Sequence, residues 1–124
     1  MTWGNLSYKI YPPASYGGAK AQCEADGSFL AIPRSQAEND FFAGLISSVS
    51  NVIWIGINDI EQEGSFVAVD GSEISWTNWG SGGPSDDTSR NGVVLVYGNW
   101  YDDNVDSRYN FVCSIYIEGI IFLI

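Results

Sequence analysis

The chain has two cysteines, Cys23 and Cys113, set 90 positions apart in 124 residues. Neither lies in a Cys-x-x-Cys string, which speaks against a zinc site or a dithiol redox site. If the two are joined, the link closes most of the chain into one loop and constrains the unfolded state by on the order of 4 kcal/mol. It would also place the protein in an oxidising compartment. A chain of this length builds about one domain with a single core.

Aromatic residues make up 15% of the chain and charged residues only 16%. That balance describes a packed or ligand-binding globule and excludes a disordered chain. Fifteen acidic residues stand against five basic ones, a net charge of -10. Such a surface repels the phosphate backbone of nucleic acids and anionic membranes, so neither is expected as a partner. The start, MTWGNLSYKIY, lacks the basic, apolar and small-residue succession of a signal peptide, and Asn5-Leu6-Ser7 matches a glycosylation sequon. Without a histidine, a free thiol pair or a glycine-rich phosphate loop, enzymatic chemistry is not expected.

Residues 8–11 (YKIY) predict a strand stopped by Pro12 and Pro13, followed by a helix capped by Ser15 and ended at Gly27. Residues 29–32 (FLAI) read as a brief extended run. A second, amphipathic helix is predicted from Ser35 to Val49, with Ser35 and Glu38 forming a capping box and Phe41, Phe42, Leu45, Ile46 and Val49 on its apolar side. VIWIGIN, residues 52–58, predicts a strand buried on both faces. GSFVAVDG, residues 64–71, alternates in period two and ends in a hairpin signal. Further strands are expected at residues 92–98 and 109–117, with a corner at Asn99-Trp100. The order implies an α+β domain of two helices and short antiparallel sheets around a long irregular loop, residues 76–91. Loops of more than about 12 residues in compact domains tend to be functional. Residues 1–117 read as one domain and residues 118–124 as an apolar C-terminal tail, much shorter than the roughly 20 residues needed to span a bilayer. That tail is expected to be a strand added to the sheet, a surface for subunit contacts in a homo-oligomer, or the remnant of a longer chain.

The strings AENDFFAGLI, WIGINDIEQEGSF, DGSEISWTNW and RYNFVC occur in this order. They make the chain resemble a C-type lectin-like domain from about Tyr8 to Cys113. The resemblance implies that fold and pairs Cys23 with Cys113, joining the first helix to the last strand. It also implies a second disulfide, but Gly92 and Val105 stand where its cysteines belong. Both partners are replaced together, so no orphan thiol is left.

In sugar-binding members a proline in the long loop is flanked by two calcium ligands, a further acid precedes the second disulfide, and a Trp-Asn-Asp string adds two more. Here Pro84 is flanked by Gly83 and Ser85, Arg90 stands near the position of the acid, and Trp100-Tyr101-Asp102 replaces Trp-Asn-Asp. Only Asp102 survives in register. Calcium takes six to eight oxygens, several from carboxylates, so a displaced set of Asp86, Asp87, Asp102, Asp103 and Asn104 is the candidate Ca2+ site; the alternative is that these acids form only a solvated rim. Ser85, Asp87, Tyr97, Trp100, Tyr101 and Asp102 are the candidate ligand-binding residues, with aromatic rings able to cover a sugar or anchor a protein. Trp54, Trp76 and Trp79 are expected to pack beneath the loop, and Asn58 and Asp59 to bond within a turn. The resulting expectation is a non-enzymatic recognition module, extracellular or at the cell surface, binding a glycan or a protein ligand. The alternative is a self-assembling structural protein using the same fold and the apolar tail.

Overall fold

The computed structural model describes residues 2–3 and 6–116. Asn5 of the sequon and the tail, residues 118–124, lie outside the described residues. The elements are β1 (Thr2–Trp3), β2 (Leu6–Ala14), α1 (Tyr16–Ala25), β3 (Phe29–Leu30), α2 (Gln36–Ile46), β4 (Val52–Asn58), β5 (Val67–Ala68), β6 (Gly92–Val96), β7 (Asn99–Asp103) and β8 (Tyr109–Tyr116).

The described strands form one sheet in the order β1-β2-β8-β4-β6-β7, with β3 beside β8 and β5 beside β4. Two helices and strands make the expected α+β domain, but the separate antiparallel sheets give way to one mixed sheet. Its parallel contact is Ile53 with Asn110 and Trp54 with Phe111, where β8 inserts between β2 and β4.

The prolines do not end the first long strand. β2 runs through Pro12 and Pro13 to Ala14, and its register against β8 shifts between Tyr11 and Ala14. The two missing N–H groups fall in that irregularity, where no ladder bond is lost. Ser15 caps α1 by accepting the Gly18 N–H at 3.2 Å, and Tyr16, Ala19 and Cys23 turn inward. At its far end Gly27 takes a φ of +73°, a conformation that glycine adopts without strain.

Ser35 caps α2 through the Glu38 N–H at 3.2 Å, whereas the Glu38 carboxylate accepts the N–H of Arg34 at 3.0 Å, one residue upstream of the reciprocal partner expected. Burial pushes the Glu38 carboxyl above its ordinary value against the opposing pull of Arg34. The helix ends at Ile46, short of the predicted Val49, which is 55% exposed.

β4 is buried on both faces, as its composition predicts, and its alternation divides the core. Ile53, Ile55 and Ile57 join Phe42 and Ile46 of α2 with Val93 and Leu95 of β6. Trp54 points the other way, to Tyr16, Ala19 and Cys23 of α1 with Val94 and Phe111. Cys23 and Cys113 are bonded across this second cluster, with Cα atoms 5.2 Å apart, tying α1 to β8 as the resemblance implies.

Gly56 is the tightest point of β4. A Cβ there would lie 2.5 Å from the Leu30 carbonyl oxygen and 2.8 Å from Ile32 and Val69 side chains. Backbone atoms do not yield as a side chain does, so Gly56→Ala is expected to lower unfolding free energy by about 1–3 kcal/mol, read from the urea midpoint.

Candidate functional site

The long loop rests on Trp100. Its ring is 0% exposed, and its Nε1–H donates to Asn39 Oδ1 at 2.8 Å. Asn39 Nδ2 in turn donates to the Gly98 carbonyl at 2.7 Å, and Asn78 Nδ2 donates to the same oxygen at 2.6 Å. Trp76 and Trp79 meet the Trp100 ring edge-on, with centroids 5.8 and 5.7 Å away. The Trp100 N–H donates to Asn78 O and the Gly80 N–H to Trp100 O, both at 2.9 Å, stitching the loop's first strand-like residues to β7. Trp76 and Trp79 therefore pack under the loop as expected, while Trp54 packs under α1. Trp100 is corrected from a ligand-contacting residue to the buried platform, because it is 0% exposed with two other indoles packed against it.

Tyr101 alternates to the other side of β7. A Cβ on Gly80 would fall within 2.2 Å of its ring, so the tyrosine lies directly against the loop backbone. It keeps partial exposure.

At the apex, Ser85 bonds to Asp102 twice. Its N–H donates to Oδ1 at 2.9 Å and its hydroxyl to Oδ2 at 2.8 Å. Asp102 is 5% exposed, so these two donors replace water around a buried carboxylate. Residues 86–90 are all exposed. Asp87 accepts from Ser89 N–H and Oγ at 2.9 and 2.6 Å and faces Arg90 Nε at 3.5 Å. The Ser89 hydroxyl and amide, with a smaller contribution from Arg90, hold the Asp87 carboxyl below its ordinary value. Asp103 accepts the Tyr109 hydroxyl and raises that tyrosine's pKa. Asn104 donates its N–H to Asp103 Oδ1 at 2.7 Å and accepts the Asp106 N–H at 2.8 Å.

The displaced calcium set is not brought together. Asp87, Asp102, Asp103 and Asn104 each engage local donors, and among the described residues no three carboxylate, thiolate or imidazole groups converge on a point that could hold a metal. Tyr97 is also separated from the apex. It occupies the β6–β7 turn with a φ of 49° and 77% exposure, at the opposite end of β7 from Asp102.

The missing second disulfide has a physical substitute. A Cβ on Gly92 would lie 2.8 Å from the Trp54 ring and 2.9 Å from that of Tyr16, so no cysteine side chain fits. Tyr16 donates its backbone N–H to Val105 O at 2.9 Å, its hydroxyl to Ile57 O at 3.2 Å, and accepts Asn58 Nδ2 at 3.3 Å. One tyrosine thus connects both positions. The loop's exit is held by Asn91, whose Nδ2 donates to Asp59 Oδ1 at 3.1 Å and Glu63 Oε1 at 3.0 Å. Asn58 and Asp59 also bond within their turn, to Ile60 N–H at 3.1 Å and Gly64 N–H at 2.8 Å. Asn39 and Tyr16 escaped the sequence reading. The available signal for Asn39 was an amide on the same helical face as Phe42 and Ile46.

The family model of the lectin C-type domain matches residues 13–115. The chain belongs to the C-type lectin domain family. Lectin BRA-3 of Megabalanus rosa is 34% identical to it over 131 residues, covering 94% of the chain and 80% of the relative. Collectin-10 of Xenopus tropicalis is 36% identical over 86% of the chain, which spans only 40% of that relative's length. The carbohydrate-recognition domain of a mouse scavenger receptor C-type lectin superposes with a TM-score of 0.87 at 27% identity, covering 98% of the chain and 96% of that domain. No helix among the described residues of the lectin domain is long and apolar enough to cross a membrane.

Proposed function

We propose that this lectin domain is a non-enzymatic carbohydrate-recognition module, and that it contacts its ligand through loop residues 81–90 together with the exposed part of Tyr101. The observation that carries the reading is a polar, exposed apex fastened to a buried aromatic platform. Preorganised hydrogen-bonding groups on a rigid support lose little entropy when they bind. Asp87 and Arg90 present acceptor and donor groups suited to sugar hydroxyls, and the partly exposed Tyr101 adds an aromatic side chain at the foot of the loop. The carbohydrate class is supported by the relatives, which are named as lectins and as a carbohydrate-recognition domain. The disulfide, and the oxidising compartment it needs, supports an extracellular location.

A glycan array tests this reading. Wild-type domain is expected to give saturable binding to a restricted glycan set. Asp87→Ala and Arg90→Ala, both at exposed positions, are expected to weaken it about tenfold each without moving the melting temperature. Silence across all glycans, with saturable binding to a protein ligand that the same substitutions weaken, replaces the carbohydrate with a protein.

A further inference from the structure

Ser85 holds the buried Asp102 carboxylate with two donors, its N–H and its hydroxyl. We infer that its two donors on Asp102 form a metal-free latch that sets the long loop, so the recognition face is built without Ca2+. The inference rests on the assignment of that loop as the binding face.

Four features lead to it. Asp102 is the one strong ligand of the calcium-binding pattern that this chain keeps, and both its oxygens are engaged, at 2.9 and 2.8 Å. A calcium ion, which needs carboxylate oxygens at about 2.3–2.6 Å, would have to compete with the Ser85 pair for a carboxylate that is only 5% exposed. Hydrogen bonds from N–H and O–H donors to an ionised carboxylate are among the stronger ones, and a pair on one carboxylate also fixes orientation. The second feature is Gly83. It brings no side-chain oxygen to the loop, and its N–H is turned to the Gly80 carbonyl at 2.9 Å, closing the turn before Pro84.

Third, Arg90 carries a fixed positive charge where the pattern has an acid, and it faces Asp87 at 3.5 Å. A divalent cation would meet repulsion where it needs a ligand. Fourth, the Tyr101 ring lies against Gly80 in place of an asparagine amide, adding packing where a ligand oxygen would be. The substitutions agree with one another. Each removes a metal ligand, and three of them supply a protein contact within the loop or between it and β7.

Calcium addition to the purified domain, followed by thermal melting and hydrogen exchange, tests the latch without any ligand. Between chelator and about 10 mM Ca2+, wild-type melting is expected to move by less than about 1 °C and loop exchange to stay unchanged, because only a ligand that binds the native state stabilises it. Ser85→Ala is expected to speed exchange of the residue 80–90 amides about tenfold in both conditions, and Ser85→Thr, which keeps both donors, to retain wild-type rates. A calcium-dependent rise in melting temperature of several degrees, calcium-dependent slowing of loop exchange, or wild-type exchange in Ser85→Ala would each overturn the latch. Glycan binding that needs calcium would sink the latch and leave the recognition reading standing. A metal-insensitive loop that binds no glycan would do the reverse.

Discussion

Trp100→Ala is expected to lower the unfolding free energy by about 3–5 kcal/mol, the range for emptying a large aromatic site in a core. The cause is not the lost ring alone. The fully buried indole is contacted edge-on by Trp76 and Trp79, so its removal opens a cavity beneath the long loop. It also strands the Asn39 carbonyl, which accepts the indole N–H at 2.8 Å, and a buried acceptor without a partner costs about 1–3 kcal/mol in addition. Trp100→Phe separates the two contributions. It keeps most of the packing and loses the bond to Asn39, so a smaller fall in the urea midpoint is expected, with loop amides still protected. Equal loss in both variants would show that the hydrogen bond, and not the platform, governs this region.

The second large effect belongs to the cystine. Cys23→Ala/Cys113→Ala is expected to cost about 2–5 kcal/mol, since the link closes a loop of 90 residues and a loop of about 100 residues is worth near 4.7 kcal/mol in the chain-entropy account. Both half-cystines are buried, at 0% and 2% exposure, so the alanines sit in the core without exposing new polar groups. Reductant should lower the wild-type urea midpoint to that of the double variant and leave the variant unmoved. A wild-type midpoint insensitive to full reduction would contradict the account.

Much of the scaffold was legible because it depends on local chemistry. VIWIGIN is a run of β-branched and aromatic residues that suits a strand covered on both sides, and β4 has those bounds. Ser15 and Ser35 announce helix starts because a short hydroxyl side chain satisfies an otherwise unpaired N–H, and both do so. The strings marking the family carried the disulfide as well. Boundaries were less legible where the neighbour decides. Pro12 and Pro13 read as a strand end until β8 supplies a register that shifts at that point, and Asn99-Trp100 reads as a corner until β6 pairs with it as β7.

The site divides in the same way. Sequence located the long loop, its exposed acidic apex and the loss of the usual calcium ligands, because these are matters of residue type and order. It did not show that Trp100 is covered, that Tyr97 stands at the far turn of the hairpin, that among the described residues no three carboxylates converge, or that Tyr16 fills the space of the second disulfide. Side chains 17 residues apart, such as Ser85 and Asp102, meet only after β7 is laid in the sheet and the loop folds over it. Hydrogen-bond partnership falls off within tenths of an ångström, whereas the order of residues sets only which groups are available; the sequence therefore determined the inventory of donors and acceptors, and the packed sheet decided which of them touch.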